Sequence, residues 1–402
     1  MSGPLTGVRV LDMTSVLMGP YATSILGDMG ADVIKLESPE GDLIRQVGPS
    51  RSGAMGGMFM HANRSKRSIV VDLKKPAGRD IALALARTAD VLVYNLRPQA
   101  MERLGLGYEA VAGARSDIIY VGTFGFGQDG PYAAKPAYDD LVQGLCAVPA
   151  LIADAGDGTP RYAPVNIADR IVGLHALAAI LAALRHRDRT GEGQRIDVPM
   201  FETMASFVLG DHFGGLSYEP PLDLGGYARL LAPDRRPFRT ADGYLCAVIY
   251  TDRHWQRFID IAGRDDWRDD PRFASHASRT RHMAEIMKSV AAIFLTRPTA
   301  EWERLLGEAD IPHARMHTLD SLVNDSHLAA VGFFPILEHP SEGSVRTLRV
   351  ASQWSVSQPR PERAAPRLGE HSREVLAEAG YSEAAIQRLV EARVVACPNA
   401  GD

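Results

Sequence analysis

An aspartate opens the most helix-prone stretch of this sequence. Asp169 stands in PVNIADRIVG, just ahead of an Ala/Leu-rich run, IVGLHALAAILAALRHR, with Gly191 shortly past its end. Two roles suit a carboxylate in that position. It can serve as a helix-start acid, which stabilises a helix by roughly 0.5–2 kcal/mol. It can also attack an activated acyl group as a covalent nucleophile. A helix N-terminus lowers a carboxyl pKa and favours the ionised form, so both roles share one geometry. His175 lies further along the same apolar run, where a satisfied core or interface histidine is the expectation. His371, in PRLGEHSREVL, reads as a polar residue at a helix start without chemistry.

The basic residues allow two readings each. Asn63-Arg64-Ser65-Lys66-Arg67, followed by Asp72 and Lys74, is either a solvated loop or a collector of phosphates on a nucleotide tail. Arg97 and Arg103 divide the same way. Arg229, Arg235, Arg236 and Arg239 cluster further on. One of them could pair with a dicarboxylic acid, while surface solvation suits most. Gly125-Phe-Gly127-Gln-Asp-Gly130 matches a dinucleotide fingerprint in spacing. That fingerprint must open a helix directly, and Pro131 and Pro136 argue against one. Glu37 imitates a ribose-binding acid, yet the preceding turn, SVLMGP, lacks the glycine triplet.

Such side chains need a scaffold, and the first half of the chain supplies one. Short apolar runs at 8–11, 32–37, 68–73, 91–94 and 118–123 alternate with helix-length segments such as 78–88. That alternation predicts an α/β fold, a parallel sheet wrapped by helices. From about Leu222 the character changes. PPLDLGG reads as a linker. A strand-like piece at 244–250 and helical pieces at 254–262, 283–295 and 299–307 predict a smaller α+β domain. The resulting division is 1–208 large domain, 209–226 linker, 227–311 small domain, 312–330 linker and 331–402 the return to the large domain. Strand-like pieces are expected over 331–356 and a terminal helix over 382–392.

Composition narrows the function classes. With 402 residues, 46% of them hydrophobic, the chain can bury more than one core. A net charge of −5 and no long Lys/Arg stripe exclude a nucleic-acid surface. Cys146, Cys246 and Cys397 form no zinc or C-x-x-C spacing, so neither a metal site nor a disulfide framework is expected. The N-terminus has no signal-like pattern, and no run reaches about 18 uninterrupted apolar residues. A cytoplasmic protein with no membrane span is the expectation.

The order of the motifs is more specific than any one of them. VRVLDMTSVLMGPYATSILGDMGADVIKLESPEGD comes first, then NRSKRSIVVDLK, then ADVLVYNLRPQAMERLG. GFGQDGP, KPAYDDLVQG and PVNIADRIVGLHALAAILAALRHRDRTGEGQRIDVPMFE follow, with HWQRF, DDPRFASHASR, TAEWERLL and finally APRLGEHSREVL. Through nearly its whole length the chain resembles the class III CoA transferases, the CaiB/BaiF family that includes formyl-CoA transferase and carnitine CoA-transferase. The resemblance implies that Asp169 is the nucleophile. It would form a mixed anhydride with the acyl group of a donor acyl-CoA, then an aspartyl-CoA thioester, and pass CoA to an acceptor carboxylic acid. It implies CoA contacts at Val16, Leu17, Val71, Lys74, Asn95, Leu96 and Arg103, and at Lys135, where the alignment is offset by one residue. It implies no permanently bound cofactor, coenzyme A acting as substrate and product, and a large Rossmann-like domain plus a smaller one in an interlocked homodimer. Two positions depart from relatives. Acyl-CoA racemases carry a histidine where this chain has Tyr138, which argues against racemisation because that chemistry needs two acid/base groups. The stretch Ala247-Val-Ile-Tyr250-Thr-Asp252 lacks the glycine-rich loop of formyl-CoA transferase, so a mobile cover of that kind is not expected here.

Overall fold

In the computed structural model, which describes residues 3–398, the chain divides into two compact units. The first comprises the chain up to Val142, Val165–Ala205, and the chain from Ser326 onward. The second comprises Gln143–Pro164 and Ser206–Asp325. Gln143–Pro164 thus groups with the second unit, although it lies inside the stretch expected for the large domain.

The first unit is built on a seven-stranded, mostly parallel sheet. Its strands are β1 (Arg9–Met13), β2 (Asp32–Glu37), β3 (Lys66–Val71), β4 (Val91–Tyr94), β5 (Ile119–Phe124) and β6 (Gln194–Pro199). They lie in the order β3-β2-β1-β4-β5-β6, with Val395–Ala396 added antiparallel on the β3 edge. This is the doubly wound dinucleotide-fold order, in which chain direction across the sheet reverses between β1 and β4. β6 has no counterpart in the sequence reading. Its exposed polar residues, Arg195 and Asp197, alternate with Ile196 and Val198 on an edge that is half exposed.

Strand alternation sorts the side chains onto two faces. One face is apolar: Leu11, Ile34, Ile69, Leu92, Tyr94 and Tyr120 pack with Ile81, Leu85, Val375 and Leu376. The other carries charge. Lys66 Nζ, fully buried, donates to Asp12 (2.8 Å), the Pro20 carbonyl (2.9 Å) and Asn63 (2.9 Å). Lys35 Nζ, equally buried, donates to Asp42 (2.9 Å) and the Thr14 carbonyl (2.8 Å). Burial pulls the Lys66 ammonium down to about 8. Burial also opposes ionisation of Asp12, but the Lys66 and Lys35 charges overcome it and hold its carboxyl well below the usual range. Removing one member of such a set leaves its partner charged and dry, which makes it costly to disturb.

For Arg64, Lys66 and Arg67 this network overturns both readings of the basic cluster. Lys66 is spent on Asp12, Arg67 pairs with Asp32 (2.6 Å), Glu374 (2.8 Å) and Glu378 (2.7 Å), and Arg64 pairs with Asp28 (2.7 Å). These residues are neither a solvated loop nor free to collect phosphates. They also move the strand: β3 begins at Lys66, two residues before the apolar run starts, because its charged residues are satisfied within the fold.

The long helix Ile167–Thr190 packs along helix α1 (Met18–Asp28). Its length and composition would also suit a bilayer, but Ala168, Val172, Gly173, Ala176 and Ile180 are buried within the first unit. Gly173 sets the approach: a Cβ there would stand 2.7 Å from the Met18 carbonyl oxygen. The second unit has its own aromatic core. Phe238 stacks on Phe294 (4.4 Å between centroids) and Trp267 on Phe273 (4.5 Å), with Trp255, Phe258 and Trp302 filling between. Its helices Asp252–Ala262, Met283–Phe294 and Thr299–Glu308 agree closely with the periodicity.

Candidate active site

In a doubly wound sheet, ligands bind beyond the carboxyl ends of the strands where the strand order reverses. Here that point lies between β1 and β4. The chain leaving β1 makes an unusual turn, with Val16 at φ 66°, a left-handed conformation that β-branched residues avoid. Fixed polar contacts hold it there. The Val16 N–H donates to Asp42 (3.0 Å), the carboxylate that also takes the Lys35 ammonium. Asn95, just past β4, grips Ser15 twice, accepting from its N–H (3.0 Å) and donating to its carbonyl (2.7 Å). The buried charges beneath the sheet therefore shape the loop above it.

A cavity of about 390 Å³ opens at this point. Its wall includes Val16, Leu17, Asn95, Leu96, Lys135 and Asp169, together with Tyr138 and Thr123. Sequence-predicted residues from four separate regions of the chain thus meet in one place. Gly125 permits two walls to close: a Cβ there would come within 2.4 Å of the Ala137 methyl. After Gly125 the chain turns, and no helix opens before Asp139. The G-x-G-x-x-G segment accordingly lacks the helix N-terminus a dinucleotide would need.

A second cavity, of about 490 Å³, shares Ser15 and Leu96 with the first. Val71 and Lys74 line it, as do Asp72, Ser38 and Glu40. The two cavities together reach from Lys74 to Asp169. Arg103 lines neither. It is exposed at the end of helix Pro98–Arg103, one residue before Leu104, which lines the second cavity. Lys135 is exposed, with its ammonium 3.7 Å from the centroid of the Tyr132 ring.

Asp169 occupies the first turn of the long helix. Its N–H donates to Asp139 (2.9 Å), an acid whose side chain is buried at the start of helix Asp139–Leu145. Burial raises the Asp169 carboxyl to about 7, the Asp139 charge adds to the rise, and Arg170 opposes it. The expectation that the helix start would keep Asp169 strongly acidic is therefore overturned: desolvation and a like charge outweigh the helix end. Asp139 was missed as a site residue. Its signal was KPAYDDLVQG, quoted among the matching motifs, but nothing in that string says that Asp139 meets Asp169.

Two histidines fall outside the site. His175 lies on the exposed side of the long helix rather than in the core. His371 sits at the start of helix Ser372–Glu378, where its Nδ1 accepts from the Ser68 N–H (3.3 Å) and its own N–H donates to the Ser68 carbonyl (2.9 Å). Among the described residues, no group of three or more His, Cys, Asp or Glu is placed to hold a metal ion.

The family model for CoA-transferase family III matches residues 5–372. The chain is 35% identical over 391 residues to a succinate–glutarate CoA-transferase of Agrobacterium fabrum, covering 93% of this chain and 95% of that one. It is 32% identical over 394 residues to a succinyl-CoA:glutarate CoA-transferase of Mus musculus, covering 98% and 90%. Among solved structures, a CaiB/BaiF family protein from Brucella suis superposes with a TM-score of 0.80 at 28% identity, covering 94% of this chain and 100% of that one.

Proposed function

Because the chain belongs to CoA-transferase family III, we propose that it moves coenzyme A from an acyl-CoA thioester to a free carboxylic acid, with Asp169 as the covalent carrier. The observation that carries this reading is the Asp169 carboxyl on the wall of the cavity, partly desolvated and facing a like charge. As a carboxylate it attacks the thioester carbonyl, and the C–S bond breaks to release CoA thiolate. The product is a neutral anhydride, so acylation removes the charge that burial and Asp139 disfavour. The thiolate then attacks the aspartyl carbonyl and expels the donor acid, leaving an aspartyl-CoA thioester. An acceptor carboxylate repeats both steps in reverse order and leaves as its CoA thioester. Activation is conserved at each stage provided water is kept out.

The two adjoining cavities support a CoA path in which Val71 and Lys74 border the nucleotide end and Val16, Leu17, Asn95 and Leu96 the reactive end. Lys135 and Arg103, both exposed, would reach phosphates from the rim. The related enzymes are named for succinate and glutarate, and we take short dicarboxylic acids as the acceptor class. Among the described residues no histidine lines the Asp169 cavity, which supports transfer over racemisation. The reading also includes an interlocked homodimer in the cytoplasm. Light scattering at twice the chain mass is the expected result for the dimer.

The test is direct. The protein is incubated with succinyl-CoA and trapped with hydroxylamine or borohydride, and the modified peptide is mapped by mass. Modification at Asp169 is expected, and Asp169→Ala should fall below about 1% of the parent transfer rate. Full transfer by Asp169→Ala sinks the proposal.

A further inference from the structure

The second unit holds a cavity of about 240 Å³ to which nothing above gives a role. It is small for a drug-sized ligand and far too small for an acyl-CoA. Arg229, Arg235 and Arg236 border it. Arg236 is paired with Asp234 at 3.0 Å. Arg229, half-buried, and Arg235, exposed, have no acidic partner among the described residues, and the Arg229 charge acts on Arg235. The Arg229 guanidinium lies 5.4 Å from the Tyr250 ring centroid, and Tyr250 meets His276 edge-on. A fourth arginine, Arg279, is only 3% exposed. It donates to the Phe273 carbonyl (2.8 Å) and pairs with Asp252, while its Nε makes no hydrogen bond. The rest of the wall is apolar, with Phe238, Ile249, Trp255, Met283 and Met287.

Solvated surface arginines are ordinary, and an exposed ion pair is worth little. Two neighbouring guanidiniums left uncompensated beside an apolar hollow are a different arrangement. Water screens part of their repulsion, an anion held between them would relieve more of it, and a guanidinium fork suits a carboxylate. The hollow behind them suits a short carbon chain. We infer that this cavity binds a short-chain carboxylic acid, its carboxylate between Arg229 and Arg235 and its chain against Trp255, Met283 and Met287. The assignment rests on the proposed function only in taking a free acid as a substrate. The site itself is defined without Asp169.

Calorimetric titration of the full chain tests it. The Asp169→Asn protein, which cannot turn over, is titrated with glutarate, butyrate and inorganic phosphate. Both acids should bind, and phosphate more weakly than either because it leaves the apolar wall unused. The double variant Arg229→Gln/Arg235→Gln should bind glutarate at least about tenfold more weakly. Met283→Trp, which fills the cavity and keeps the charges, should weaken it too. Arg239→Gln, an exposed arginine outside the cavity wall, should bind as the parent does. Absence of acid binding, undiminished binding by the double variant, or phosphate binding as tightly as glutarate overturns the inference. Covalent labelling of Asp169 separates the two claims: intact labelling without acid binding rejects the cavity alone, and intact acid binding without labelling rejects the proposed function alone.

Discussion

Asp169 shows how far a residue's chemistry departs from its local sequence. A first-turn aspartate reads as an acid stabilised by the helix end, yet burial and Asp139 raise its carboxyl to about 7. The sign of each consequence follows. In the proposed mechanism acylation requires the carboxylate, so its rate should rise with pH through the region of 7. In Asp139→Asn the like charge is gone, the Asp169 pKa falls, and the acidic limb of the pH–rate profile moves to lower pH. An unchanged profile in single-turnover acylation would reject Asp139 as the tuning group. Stability moves the opposite way. Unfolded, Asp169 loses its proton near its ordinary 3.8; folded, it keeps the proton until about 7. Between those values the native state binds more protons, so stability falls as pH rises and the penalty is complete above 7. Asp169→Asn stays neutral and should melt roughly 2–4 °C higher than the parent at pH 8, with the difference fading toward pH 4. What was legible at this scale was that Asp169 opens the long helix, where the structure has it in the first turn and on the cavity wall. Its neighbour was not, because Asp139 and Asp169 meet only after the intervening chain has folded.

At the scale of elements, most strands and helices could be read from periodicity, because apolar runs and helix-length segments differ in period. β6 could not, since half of its residues face away from the core. The cluster Arg64–Arg67 could not be interpreted either. Its partners Asp12, Asp28, Asp32, Glu374 and Glu378 lie far away in sequence, and strand alternation alone does not reveal ion pairs. Where the long helix meets Met18 of α1, its approach depends on a glycine. Gly173 lies one turn after Asp169, so whatever displaces the helix there displaces the carboxylate. Because the atom a Cβ would meet is the backbone oxygen of Met18, at 2.7 Å, a side chain cannot yield to it. Gly173→Ala should cost about 1–3 kcal/mol in denaturant unfolding and should slow acylation of Asp169 more than it weakens CoA binding. Equal losses in both would place the effect on global stability rather than on the helix position.

Across the whole molecule, the sheet that carries the site is finished by the last part of the chain. Val395–Ala396 pairs with Val71 and Val70 on the β3 edge. Ser372 Oγ accepts from the Val70 N–H (3.2 Å) and donates to the Ala396 carbonyl (2.7 Å), tying the returning helix to both strands. Arg67 obtains two of its carboxylates from Glu374 and Glu378, and Val375, Leu376 and Ile386 complete the apolar face. Nothing in the local sequence of β3 signals this dependence, although the motif APRLGEHSREVL marked the returning segment. Without it, β3 would present an unpaired edge, an under-neutralised Arg67 and a bare apolar face, the conditions that favour aggregation. A chain ending at Asp325 should therefore be insoluble even though it retains β1 to β6 and Asp169. A milder lesion tests the same dependence in folded protein. Leu376→Ala removes a fully buried side chain and should cost about 2–5 kcal/mol. Hydrogen exchange should then quicken first in β3 and β2, whose amides lie beside the lost contact. Exchange that quickens first in β5 and β6, on the far side of the sheet, would show that the returning segment does not hold the β3 edge.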